Sequence, residues 1–241
     1  MASTTELLHQ LMIANRILAQ HDVVDAFGHI SIRHPEHADR YVIARSRAPE
    51  LVTEEDLLTF DLQGTEVNDD RRRPYAERFI HGAIYEARPE VQAVCHNHSP
   101  SVIPFGVTGV PMKPILHMAG FIGADIPVWD IADEFGATNL LVTSMAMGRS
   151  LAKLLGPRRV ALMRGHGSVI AGGSIPEVVT TGIYMEKNAQ LQTTALLLGG
   201  GKLKALSADE IRLTGEMLQL PVSSERAWEA WCTAVGFPPT H

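Results

Sequence analysis

Cysteine is scarce: Cys95 and Cys232 are the only two in 241 residues, too few for a disulfide framework, and a reducing compartment is the simpler reading. Basic residues are outnumbered, 21 Lys and Arg against 27 Asp and Glu, which leaves a net charge of −6 with histidine neutral. A field of that sign does not attract a polyanionic backbone, so DNA or RNA is not expected as a principal partner. No window reaches the roughly 18 apolar residues that a membrane-spanning helix needs. The opening MASTTELLHQLMIANRILAQHDVV has neither a basic head nor an unbroken apolar core, so it is not a secretory signal. The expectation is a cytoplasmic protein with no membrane partner. Repeats, low-complexity tracts and linkers are missing as well, and residues 1–241 are read as one domain.

What is present is ordinary globular material with clear punctuation. Ser3 and Glu6 form a capping-box pattern, followed by Leu7, Leu8, Leu11, Met12 and Leu18 at helical spacing; this predicts a helix ending near His21 and Asp22. The segments FGHISIRHPE, RYVIARSR and LLTFDLQGTEV are short and β-branched, with Gln63 and Gly64 at a hairpin. A second helix is predicted within RRRPYAERFIHGAIYEARPEV, with Glu77 in its first turn and Pro89 closing it. VQAVCHNH follows as a strand. DEFGATNLLVTSMAMGRSLAKLLG reads as a third helix, RRVALMRGHGSVIAGG as two strands around a Gly-rich turn, and Ser174 with Glu177 caps a long helix to about Leu198. Helices do not alternate regularly with strands. The expected fold is therefore α/β with a central, mostly antiparallel sheet covered by helices.

Eleven histidines stand in the chain, and two of them are one residue apart at the end of an apolar run, in VQAVCHNHSP. Alternate residues of a strand share a face, so His96 and His98 project to the same side. Two imidazoles aimed at one point suit zinc, iron or manganese, and a catalytic site needs a third ligand with one position left open. His166, between two glycines in RGHGSV, is the best candidate, although taken alone it reads better as a hydrogen-bonded turn histidine. Glu77 is the natural acid/base group; the competing reading is a helix-dipole complement. His81, one turn beyond Glu77, is read as structural, and His34 and His37 as solvated.

The ordered segments GHISIR, LVTEEDLLTFDLQG, AERFIHGAIYEARPEVQAVCHNHSP and LMRGHGSVIAGGSIPEV make the chain resemble the class II aldolase/adducin family. The resemblance runs from about residue 5 to residue 210 and leaves 211–241 as a variable tail. It implies one α/β domain, a ring of four subunits with active sites near their boundaries, and one divalent metal per subunit (Zn, Mn or Fe). It further implies that His96, His98 and His166 hold the metal, and that Glu77 is the acid/base, able also to ligate the metal.

Departures from the sugar-phosphate branch narrow this. Where those aldolases hold phosphate, this chain has His29 in GHIS, Arg45, Ser46 and Arg47 in IARSRAP, and Tyr75 with Ala76 in PYAE; Met118 follows His117 where a tyrosine is expected. His29 with Arg45 or Arg47 would receive a carboxylate on a guanidinium fork, with Tyr75 as a flat wall; the bland alternative puts both arginines on a solvated loop. The pattern resembles the branch of metal-dependent decarboxylases of hydroxylated aromatic or pyridine carboxylates. An aldolase or epimerase on a sugar phosphate or sugar acid, and a non-catalytic adducin-like assembly domain, are the alternatives.

Overall fold

The computed structural model describes residues 3–68, 70–218 and 220–238. Helix α1 (Thr4–Gln20) begins on the expected capping box, Ser3 accepting from the Glu6 N–H while Glu6 reaches back to the Ser3 N–H, and its C-cap is His21. Leu11, Met12 and Leu18 are buried on its inner face.

Strands β1 (His29–Arg33), β2 (Arg40–Ala44), β3 (Leu57–Asp61), β4 (Ala93–Asn97), β5 (Val128–Trp129), β6 (Val160–Met163) and β7 (Gly167–Gly172) form one sheet in the order β3-β2-β1-β4-β7-β6-β5. Every pairing is antiparallel except β5 with β6. The mostly antiparallel α/β fold is as expected, and the two-residue edge strand β5 is an addition. The predicted hairpin is present: Gly64 takes a φ of +77°, and Glu66 bridges back to Phe60.

Helices cover both faces. Helix α1 and the long α5 (Ile175–Leu198) pack against β1, β4 and β7 on the side of Cys95 and Ile170. On the other side lie α2 (Arg78–Ala87) and α4 (Met145–Leu155), packed on each other. Burial from two sides explains why β1, β4 and β7 are buried along their whole length instead of alternating. Residues beyond 210, set apart above as a variable tail, form the end of α6 (Ala208–Leu218) and all of α7 (Pro221–Ala234), and Cys232 on α7 is buried against the core. Both cysteines are unpaired. Among the described residues no helix is long and apolar enough to cross a membrane.

Three helix expectations need correction. Glu77 is not in the first turn of α2 but at its N-cap, and residues 71–76 are not helical. The third helix is broken: only α3 (Ala132–Phe135) and α4 form, because Gly136 and Leu140 take positive φ while Thr138 and Asn139 side chains accept from the N–H groups two residues on. At α5, Ser174 accepts from the Glu177 N–H, but the Glu177 carboxylate turns to the Gly173 N–H and Arg159 instead of completing a capping box.

Candidate metal centre and active-site cavity

The centre of the sheet brings the histidines together. His29 on β1 is the cross-strand partner of His96 on β4, so the two rings share a face, 5.3 Å apart. His98 lies one residue past the end of β4, its ring 4.9 Å from that of His96. The third imidazole arrives from a turn: Met163 pairs with Gly167, and the intervening Arg164, Gly165 and His166 close a hairpin in which Gly165 takes a φ of +65°. Gly167 allows close approach, since a Cβ there would stand 2.0 Å from the Asn97 carbonyl. His166 thus sits 4.8 Å from His96 and 5.1 Å from His98, ring to ring. Glu77 enters from the start of α2. One donor atom from each of Glu77, His96, His98 and His166 lies within 4.8 Å of the others.

Hydrogen bonds decide which ring nitrogens are free. His96 Nδ1 lies 3.1 Å from the Ser168 carbonyl, and His98 Nδ1 lies 3.0 Å from Asp25 Oδ1. Both oxygens can only accept, so each Nδ1 carries the hydrogen and each Nε2 is left with a lone pair. Those two Nε2 atoms, and His166 Nδ1, are buried without any partner. Buried orphan lone pairs are costly unless something fills them, and neutral imidazoles whose other nitrogen is anchored are the usual presentation to a metal. Glu77 completes the set: its Oε1 accepts from the Val142 N–H at 2.9 Å, and its Oε2 lies 3.5 Å from Nε2 of both His96 and His166. Burial pushes the Glu77 carboxyl up, but the His96 and His166 rings beside it outweigh burial and hold the group well below the usual range, hence ionised. Three imidazoles and a carboxylate are a donor set that fits a divalent cation. Although Glu77 is the N-cap residue of α2, its side chain makes no cap hydrogen bond to that helix.

A cavity of about 430 Å³ opens beside these ligands, lined by Glu77, His98, His29, Ser46, Arg47 and Tyr75. Arg45 does not line it. Neither arginine is on a free solvated loop: Arg45 Nε and Arg47 Nη1 lie 2.7 and 3.1 Å from Oδ1 of the buried Asp56. Asp56 also accepts from the N–H and hydroxyl of Thr53, and together these contacts outweigh burial and hold its carboxyl down at about 2. Arg47 therefore reaches the cavity with its charge shared. Arg73, which sequence reasoning passed over within a run of three arginines, lines the same cavity and forms no ion pair among the described residues. Two further residues were missed. Phe27 stands at the rim with 71% of its surface exposed, and Asp25 accepts from the N–H groups of Phe27 and Gly28 as well as from His98. The only local signal for Asp25 is an Asp two residues before an aromatic-glycine turn.

His81 is fully buried on α2, as a structural reading requires, yet it is hydrogen-bonded to His29 at 2.7 Å and to Ser31 Oγ at 2.7 Å. Tyr75, expected as an aromatic wall, lines the cavity with its ring 4.4 Å from that of His29.

Residues 9–193 match the Class II Aldolase and Adducin N-terminal domain. The chain belongs to this family. Decarboxylase tropJ of Talaromyces stipitatus is 38% identical over 241 residues, which cover 91% of this chain and 90% of tropJ. A 3,4-dihydroxyphthalate decarboxylase of Arthrobacter keyseri is 27% identical over 236 residues, covering 90% of this chain and 89% of that one. Of solved structures, L-fuculose 1-phosphate aldolase from Glaciozyma antarctica PI12 superposes with a TM-score of 0.76 at 25% identity over 96% of this chain and 89% of its own. Class II aldolases use a divalent metal, and the four-donor cluster of this family member can hold one.

Proposed function

We propose that the protein is a metal-dependent carbon-carbon lyase that decarboxylates a hydroxylated aromatic or pyridine carboxylate. The observation that carries this reading is the meeting of four metal-type donors, two of which, Glu77 and His98, line a cavity that Arg47 and Arg73 also line. Similarity to two decarboxylases along nearly the whole chain supports it. Glu77, His96, His98 and His166 would hold a zinc, manganese or iron ion, which when bound supplies a Lewis acid for the negative charge released as the C–C bond breaks.

The chain's own residues do the rest. Glu77, ionised and tethered through Oε1, is set to take the proton of the substrate hydroxyl on Oε2 and to return it to the ring carbon that bears the departing carboxylate. CO₂ then leaves, the electron pair of the broken bond restores the aromatic ring, and the phenolate oxygen takes a proton from water on release. Tyr75 provides a flat apolar wall for the ring, Ser46 a small polar side chain, and Arg47 and Arg73 a positive end for a remote carboxylate. Arg45 acts through Asp56, which it shares with Arg47. Cytoplasmic homotetramers with sites near subunit boundaries are part of the same reading; the exposed Phe27 at the rim is the surface a neighbour would cover.

The test is CO₂ release from a panel of ortho-hydroxy aromatic dicarboxylates by protein reconstituted with each ion in turn. Turnover of at least one acid, lost on chelation, is expected. Cleavage of ketose phosphates with every aromatic acid untouched would replace this with the aldolase reading. Failure to retain any divalent ion would return the chain to an assembly role, and reaction confined to an iron form with O₂ would reject the lyase.

A further inference from the structure

Behind the cavity wall lies a chain of four polar side chains sealed in the core. His29 Nδ1 is 2.7 Å from His81 Nε2, His81 Nδ1 is 2.7 Å from Ser31 Oγ, and Ser31 Oγ is 2.9 Å from the Tyr85 hydroxyl. All four residues are buried, and no other hydrogen-bond acceptor contacts Ser31 Oγ or the Tyr85 hydroxyl among the described residues. Ring nitrogens and hydroxyls can in principle donate either way along such a chain, but the hydrogens have to be counted.

If Tyr85 donates to Ser31, Ser31 donates to His81 Nδ1, and His81 donates from Nε2 to His29 Nδ1, every hydrogen inside the core has an acceptor. Each other arrangement strands one hydroxyl hydrogen, of Tyr85 or of Ser31, with nothing to receive it, which buried groups avoid. A His29 that accepts at Nδ1 must carry its hydrogen on Nε2, the nitrogen left for the cavity that the ring lines. The result is the opposite of its neighbours. His96 and His98 present Nε2 lone pairs, whereas His29 presents an N–H.

We infer that His29 is a fixed hydrogen-bond donor to an oxygen of the bound carboxylate, and that Ser31 and His81 are positioning residues that set its tautomer. A lone pair in the same place would repel that oxygen, so the chain selects for acceptor groups and keeps His29 out of the metal's ligand set. The tautomer stands on the hydrogen bonds alone; only the identity of the acceptor rests on the carboxylate-lyase reading.

The experiment uses the full chain, zinc-loaded and labelled with ¹⁵N-histidine, with the His29 signals assigned by their loss in His29→Gln. Nitrogen shifts distinguish protonated from bare ring nitrogens. The expected result is hydrogen on Nε2 of His29 in the wild type, the same tautomer in Tyr85→Phe, where Ser31 still has only His81 Nδ1 to receive its hydrogen, and a mixture of tautomers in Ser31→Ala, which removes the donor to His81. Hydrogen on Nδ1 in the wild type, or an unchanged ratio in Ser31→Ala, overturns the inference. The second arm titrates salicylate, a simple ortho-hydroxy aromatic carboxylate. Ser31→Ala should weaken its binding roughly three- to tenfold in the wild-type background and leave it unchanged in His29→Gln, whose amide N–H replaces the ring donor without needing the chain. Equal weakening in both backgrounds would make Ser31 merely structural and overturn its positioning role. Absence of decarboxylation with the Nε2 tautomer intact would count against the lyase reading and leave the tautomer assignment standing.

Discussion

Asp25 Oδ1 receives the Nδ1 hydrogen of His98 at 3.0 Å and, with the same atom, the backbone N–H groups of Phe27 and Gly28 at 2.8 and 3.0 Å. One oxygen thus orients a metal-type ligand and shapes the cavity rim. Carboxylates that hold ligating histidines typically contribute about 10–100-fold to metal affinity. Asp25→Ala is expected to weaken zinc binding by that order in a chelator competition while the far-UV circular dichroism stays native. Unchanged affinity would show that His98 keeps its orientation without Asp25.

Glu77 divides differently between binding and chemistry. Three imidazoles remain if its charge is removed, so Glu77→Gln should retain metal and lose turnover, by about 10²–10⁴-fold if proton transfer is its contribution. His96→Ala and His98→Ala should lose the metal itself, read by elemental analysis after gel filtration. Wild-type turnover in Glu77→Gln would remove it from the proposed mechanism.

The two arginine positions that look alike in the sequence should behave unlike. Arg73 lines the cavity without a counter-ion among the described residues, and Arg45 is outside the cavity and committed to Asp56. Arg73→Gln should raise KM roughly tenfold with little change in kcat, as expected for a contact made equally in ground and transition states. Arg45→Gln should instead lower the denaturation midpoint, because the buried Asp56 loses a partner. Reversal of these two phenotypes would exchange their assignments.

Gly167→Ala places a Cβ against the backbone carbonyl of Asn97, and backbone cannot move aside as a flexible side chain would. The pairing of β4 with β7 would have to open between the histidines. Loss of metal retention together with a lowered melting temperature is expected. A protein that still binds zinc with native affinity would mean that the His166 hairpin can shift without cost.

Stability should also fall in acid through His81. Burial pushes its ring down to about 3 from an ordinary value of 6.5. Between those values the unfolded chain binds a proton that the folded chain refuses. The stabilisation is therefore complete above about pH 6.5 and is lost as pH falls towards 3, with a slope near 1.4 kcal/mol per pH unit for one proton. Urea midpoints measured across that window should show a shallower pH slope in His81→Gln than in the wild type. Equal slopes would mean that His81 does not stay neutral on folding.

Much of this site is legible from local rules. Period-two geometry alone puts His96 and His98 on one face, the Ser3 and Glu6 spacing alone starts α1, and Gly64 alone marks the hairpin. These are short-range consequences of backbone sterics and hydrogen bonding, which the order of residues determines directly. The misread stretches are those where distant partners override local preference. Residues 136–144 lie inside a stretch read as one helix but open out, and the opened segment supplies the Val142 N–H that tethers Glu77. Arg45 and Arg47 look free until Asp56, from the turn before β3, claims both.

By itself the sequence determined which chemical groups this protein has to work with and which of them share a strand or a helix turn. Tertiary structure alone decided that His166 joins His96 and His98, that Arg73 and not Arg45 reaches the cavity, and that His29 offers a hydrogen where its neighbours offer lone pairs. The reason is range. Steric and capping preferences act over a few residues, whereas ligand convergence, charge sharing and tautomer choice depend on atoms that only the closed sheet and its packed helices bring within hydrogen-bonding distance.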